Sequence, residues 1–140
     1  MMDVTQLPFN QFLGLEPADP ESGFLVSLPA GPQYTNHLGT VHAVALLGVA
    51  EAASGEFLIR YFSGVTVYVP VVRRLESRFR KPARGRISGR VSVTESVMAG
   101  VVMELKTRGR ALVELSVEVV DGSGVVALTA EVEWFISKVS

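Results

Sequence analysis

The stretch Asn36 to Gly55, NHLGTVHAVALLGVAEAASG, decides how this chain is read. From Val41 a helix-compatible run of alanine, valine, leucine and glycine continues to Phe62, which would span roughly 33 Å at the rise of an α-helix. It is apolar on nearly every face, so other structure must wrap it. Two histidines, His37 and His42, stand at its entrance, and a glutamate, Glu51, lies inside it. Burying a carboxylate without a partner costs far more than one hydrophobic contact returns. Glu51 therefore calls for either a structural partner or a function.

The rest of the chain sets the bounds. With 140 residues it has the size of one ordinary domain, expected to cover 1–140. Apolar residues make up 48% and charged ones 19%, more core-forming material than a small monomer needs, and the excess points to a subunit interface. Thirteen Lys and Arg against fourteen Asp and Glu leave a net charge of −1, so no nucleic-acid or membrane partner is expected. Cysteine is absent, which excludes disulfides, thiolate metal sites and cysteine nucleophiles. The opening MMDVTQLPFNQF is polar rather than basic then apolar, unlike a secretory leader, and with the lack of cysteine it suggests a cytoplasmic protein. Val41 to Phe62 is interrupted by His42, Glu51, Glu56 and Arg60, a poor membrane span and a good core helix.

Around the long helix the sequence reads mainly as strands. Thr5 to Leu15 predicts a short amphipathic helix, and Gly23 to Pro29, GFLVSLP, a brief strand. Leu75, Ser77 and Phe79 alternate with arginines and glutamate, and Ile87, Gly89, Val91 and Val93 alternate with polar residues. Val113 to Val119 and Val126 to Trp134 alternate on either side of Asp121-Gly122-Ser123-Gly124, which predicts a hairpin. Val97, Met98, Val101, Val102 and Leu105 recur at helical spacing, with Gly109 at the stop position, and Pro70 must sit at an edge or a bulge. The fold class is α+β, with about five antiparallel strands wrapped around one long central helix. One such sheet leaves an edge open, so two copies are expected to join.

Asn36, Gly39, His42 and Glu51, together with LESRFRKPARG from Leu75 to Gly85 and DGSGVVA from Asp121 to Ala127, give nearly the whole chain a resemblance to the hotdog-fold thioesterases. It resembles in particular the small phenylacetate-pathway type that acts on acyl-coenzyme A. That type carries His-Gly-Gly where this chain has His42-Ala43-Val44, and the helix near Val97 to Arg108 is an addition to the minimal fold. The resemblance implies hydrolysis of an acyl-CoA thioester, with no metal and no cofactor beyond the coenzyme A of the substrate. It implies Glu51 as base or nucleophile, the backbone N–H of Ala43 as oxyanion donor and Asn36 as a positioning amide.

Physical chemistry agrees with the oxyanion role, because the first turn of a helix offers unpaired N–H donors and a partial positive charge. Glu51 lies eight residues beyond Ala43, some 12 Å by helix rise, too far to serve the same carbonyl. A homodimer, or a tetramer built from it, with antiparallel helices would bring Glu51 of one copy to Ala43 of the other. Each side chain also has a plainer reading. Glu51 fits an ion pair, Asn36 a turn, His42 a helix cap and His37 the surface; Thr66, which resembles the hydroxyl that assists water in some relatives, fits an ordinary strand; Ser54, one turn from Glu51, fits an orienting hydroxyl. Val44 shares a face with Glu51 and fills space that glycine leaves free for substrate. Arg78, Arg80, Lys81, Arg84 and Arg86 place five positive charges in nine residues, read either as a landing site for coenzyme A phosphates, Arg84 and Arg86 above all, or as a solvated strand face. A non-catalytic binder of acyl or other apolar ligands stands as the alternative to the enzyme, and a hydratase lacks its Asp and His pairing on the helix.

Overall fold

The computed structural model describes residues 3–63 and 68–139. Helix α1 (Pro8–Leu13) and strands β1 (Glu16–Pro17) and β2 (Val26–Leu28) precede the long helix α2 (Ala43–Tyr61). Strands β3 (Tyr68–Phe79) and β4 (Ile87–Ser92), helix α3 (Glu95–Arg108), and strands β5 (Arg110–Asp121) and β6 (Val126–Lys138) follow. The six strands form one antiparallel sheet in the order β1-β2-β4-β5-β6-β3. Helix α2 packs across it and touches β2, β3, β4, β5 and β6. This is the α+β arrangement that the residue pattern predicts, and the hotdog fold that the resemblance implies.

Alternation in the sequence becomes two faces in the sheet. On β5, Val113, Leu115, Val117 and Val119 are buried while Leu112 and Glu114 are exposed, and on β6 Leu128, Ala130, Val132 and Trp134 face the same interior. The register pairs them directly: Val113 with Trp134, Leu115 with Val132, Val117 with Ala130 and Val119 with Leu128. Each pair buries aliphatic area against α2, at about 25 cal/mol per Å² removed from water. Strand β3 lies at the sheet edge, which is where Pro70, lacking an N–H for the ladder, is tolerated; a bulge between Val72 and Arg74 follows it.

Helix ends obey local chemistry. Thr94 caps α3 by accepting the Val97 N–H at 3.2 Å, and Gly109 closes it at φ 73°, a left-handed conformation that costs glycine no Cβ clash. The hairpin turn depends on Asp121, whose carboxylate accepts the N–H groups of Ser123, Val125 and Arg84 at 2.9, 3.1 and 3.2 Å. Its burial works to raise the carboxyl pKa, but the bonds from Val125, Arg84 and Ser123 prevail and hold it below the ordinary aspartate value. Through Arg84 the hairpin turn is tied to the basic segment between β3 and β4.

Three expectations are corrected. The single helix from Thr5 to Leu15 is two pieces, a 3-10 turn at Val4–Gln6 and then α1, because Leu7 precedes Pro8 and takes an extended conformation with ψ 140°. The first strand shortens to Val26–Leu28, and the two-residue β1, invisible to a periodicity argument, brings the strands among the described residues to six.

Seating α2 on the sheet requires Gly89 of β4. A Cβ there would stand 2.9 Å from Ala53 Cβ, 3.1 Å from Val49 Cγ1 and 3.3 Å from Val49 O. Gly89→Val should therefore destabilise the fold by about 1–3 kcal/mol through overpacking. Chemical denaturation of the variant with an unchanged midpoint would show that the helix is not held at this distance.

Candidate functional site at the start of helix α2

The loop before α2 is built on Asn36. Its Oδ1 accepts the N–H groups of Leu38 at 2.9 Å and Thr40 at 3.1 Å, and its Nδ2 donates to Thr40 Oγ1 at 2.9 Å. Its own N–H reaches Thr40 O at 2.8 Å, and Gly39 completes the turn at φ 77°. The amide of Asn36 thus braces the loop from within. Its partner Thr40, a buried hydroxyl, escaped the sequence reading; a threonine four residues after an Asn was the available signal. The loop is then clamped on both sides. His42 N–H donates to Tyr34 O at 2.7 Å, and Val41 N–H donates to Ala83 O at 2.9 Å, in the middle of the basic segment.

His42 is the cap of α2. Its Nδ1 accepts the Val44 N–H at 3.0 Å, so the imidazole carries its proton on Nε2. His42 O accepts from Ala45 at 3.0 Å and Leu46 at 3.2 Å. Among the described residues no acceptor meets the Ala43 N–H, which is left as the unpaired donor of the first turn. Ala43 and Val44 are exposed at this end, Val44 by 63%.

Two turns on, the helix carries two carboxylates with opposite fates. Glu56 is 4% exposed yet satisfied, accepting the Val4 N–H at 3.1 Å and Arg60 Nε at 2.6 Å, an (i, i+4) pair legible in the sequence. Glu51 is half-buried, and among the described residues neither a cation nor a hydrogen-bond donor meets its carboxylate. Burial pushes its carboxyl above the ordinary glutamate range. The ion-pair explanation of Glu51 has no counterpart in the described structure.

The other predicted residues fall into distinct places. Ser54 does not orient the Glu51 side chain: fully buried, its Oγ donates to Glu51 O at 2.7 Å and accepts the Trp134 indole N–H at 2.9 Å, fixing α2 to β6. Arg84 is exposed and lines a pocket of about 360 Å³ together with Tyr34, Gly39, Val41 and Gly85, beside the braced loop. Arg86 pairs with Glu16 at 2.8 Å on the surface. Arg80 Nε donates to Thr129 Oγ1 at 3.0 Å. His37 is exposed, and Thr66 lies outside the described residues. Among the described residues no group of three His, Asp or Glu side chains is placed to hold a metal ion, and no helix is long and apolar enough to cross a membrane.

The raised pKa of Glu51 has a pH signature. The folded chain binds the Glu51 proton more tightly than the unfolded chain, whose value is near 4.5. This contribution to stability is complete below that value and is lost as pH rises through the elevated folded value. Glu51→Gln abolishes the loss, so the variant's melting temperature relative to wild type should climb as pH rises above about 4.5. A difference that stays flat with pH would remove the desolvated-acid account.

No curated protein matches the chain. Among solved structures, a Pseudomonas aeruginosa protein of unknown function, described as a probable thioesterase, shares 25% identity at a TM-score of 0.79, covering 97% of this chain and 91% of that one. A protein of unknown function from Chlorobaculum tepidum superposes at 0.84 with 20% identity, over 96% and 88% of the two chains. A Bacillus halodurans protein solved with CoA superposes at 0.68 with 18% identity, over 91% and 74%. The fold therefore has its structural neighbours among hotdog proteins of the thioesterase type. The family model described as Domain of unknown function (DUF4442) matches residues 17–136, which include the braced loop, α2 and all the strands from β2 to β5 in full, and the chain belongs to that family.

Proposed function

We propose that this protein hydrolyses an acyl-CoA thioester. The observation that carries the reading is the pairing, on one helix, of a desolvated Glu51 and an Ala43 N–H that are both without a partner among the described residues. A carboxyl with a raised pKa suits general-base work near neutral pH, and a free first-turn donor suits a developing oxyanion. The separation of about 12 Å by helix rise requires that the two groups act in different copies, which an antiparallel pairing of α2 helices in a homodimer provides. In such a site Glu51 of one protomer activates water, or attacks the thioester carbonyl itself, and Ala43 of its partner receives the carbonyl oxygen. The C–S bond breaks as the sulfur takes the proton that Glu51 drew from water, releasing the free acid and coenzyme A thiol; on the nucleophilic route water then cleaves the acyl–Glu51 anhydride, and the thiolate takes its proton from that water. Asn36 serves by holding the loop that aims the helix start, and His42 by capping it.

The substrate class has two supports. A Bacillus halodurans relative in fold was solved with CoA, and in this chain the exposed Arg84 lines a pocket beside the loop, where a phosphate has access to a cation. Arg86 shares the same segment but is engaged by Glu16, so Arg84 carries the larger part of phosphate attraction. The second reading, a binder of acyl ligands without turnover, is favoured by Val44, a branched exposed side chain close to the oxyanion donor.

Glu51→Gln tests the first reading. Turnover on acyl-CoA esters should fall by about a hundredfold or more while the fold persists; an unaltered rate would remove Glu51 from the chemistry, and a wild type without any rate would favour the binder. Arg84→Ala should raise KM for CoA esters more than for short thioesters that lack the nucleotide. Equal changes on both substrates would assign Arg84 to the solvated face.

A further inference from the structure

The N-terminal segment follows α2 past Glu51. A Cβ on Gly48 would stand 2.8 Å from Leu13 Cδ2, and one on Gly55 would stand 3.5 Å from Val4 Cγ1, so the two ends of the segment rest on two glycines of the helix. Glu51 lies three residues after the first and four before the second, on the same helical face. Residues 5–12 therefore run between two points that bracket Glu51, antiparallel to α2.

The segment is fixed rather than draped. Val4 N–H donates to Glu56 Oε1, Asn10 Nδ2 donates to Val4 O at 2.9 Å, and the Tyr34 hydroxyl donates to Leu13 O. Helix α1 divides accordingly. Asn10 and Leu13 turn inward, whereas Phe9 and Phe12, one turn apart, stand 66% and 87% exposed. Leu7 to Leu15, LPFNQFLGL, contains no charged residue, and two more exposed apolar side chains, Leu38 and Val44, flank the helix entrance. Tyr34 joins this apolar element to the basic one: it bonds to Leu13 O on one side and lines the Arg84 pocket on the other. Two aromatic rings held in water on a fixed helix are an exposed apolar feature of the kind that marks a binding surface.

We infer that the segment from Asp3 to Gly14 is the acyl-recognising wall of the site, with Phe9 and Phe12 as specificity-determining residues for an extended apolar acyl chain. The coenzyme A end of that ligand rests on the function proposed above. The polarity fits an amphiphile: the uncharged stretch from Leu7 to Leu15, with its two outward rings, runs beside the helix that carries Glu51, and Tyr34 joins it to a cationic pocket beside the loop that starts the helix.

The test uses S-alkyl-CoA thioethers, which cannot be hydrolysed, titrated calorimetrically into the intact protein. Wild type should bind the decyl ether at least about tenfold tighter than the butyl ether, since each methylene buried in full adds about fourfold and the chain need be covered only in part. In the double variant Phe9→Ala/Phe12→Ala this gap should collapse. Equal affinity of wild type for both ethers, or an undiminished gap in the variant, overturns the inference. Sedimentation of the same variant is a second, independent test: if the substitutions dissociate a wild-type oligomer, the rings belong to a contact with a second copy and the inference falls. Phe12→Ala, at the more exposed ring, replaces the double variant if that one fails to fold. A protein that hydrolyses no ester, yet shows the chain-length gap in wild type and loses it in the variant, would refute the proposed reaction and uphold the acyl wall.

Discussion

Everything in this fold depends on how closely α2 can lie on the sheet. The helix meets five strands, and it does so with small side chains: Ala45, Ala50, Ala52, Ala53, Ser54 and Gly55 are all buried. Gly89 answers them from β4, and Trp134 fills the remaining space while its indole N–H is satisfied by Ser54. Close packing of this kind has no slack, because interiors are as dense as organic crystals. The orientation of α2 is thereby fixed to within what a methyl group would disturb, and with it the direction of every group along the helix.

That rigidity gives the helix start its chemistry. Asn36 and Thr40 tie the preceding loop into a closed turn, and the backbone bonds to Tyr34 and Ala83 clamp it between two other parts of the chain. The result is a first turn whose Val44 N–H is taken by His42 while the Ala43 N–H stays open among the described residues. An unpaired donor on a fixed backbone needs no reorganisation to meet a negative oxygen, which is the basis of electrostatic preorganisation. Asn36 contributes to this through the loop, since its amide is occupied there.

The two acids of α2 show why burial alone does not mark function. Glu56 is the more deeply buried, but Arg60 and the Val4 N–H satisfy it, and it acts as a structural tether for the N-terminal segment. Glu51 is less buried and, among the described residues, unsatisfied. A desolvated carboxyl without partners keeps its proton longer and its basicity intact, and the cost of holding it is carried by the surrounding packing.

Local pattern in the sequence was sufficient for the long helix, the hairpin at Asp121 and the α3 helix with its Gly109 stop, because these depend on interactions between residues near one another in the chain; it left Pro70 at an edge or a bulge, and the sheet order put it at the edge. The resemblance to the hotdog thioesterases also placed Asn36, Gly39, His42 and Glu51 in one motif. Tertiary structure alone decided the roles of their neighbours. Ser54 was drawn to Trp134, eighty residues away, and Arg86 to Glu16, seventy residues away. The break at Leu7 was legible in the proline that follows, but the position of the N-terminal segment over Gly48 and Gly55 was not. Such pairings join positions whose separation in sequence carries no periodic signal, and they form only once the sheet has closed around the helix.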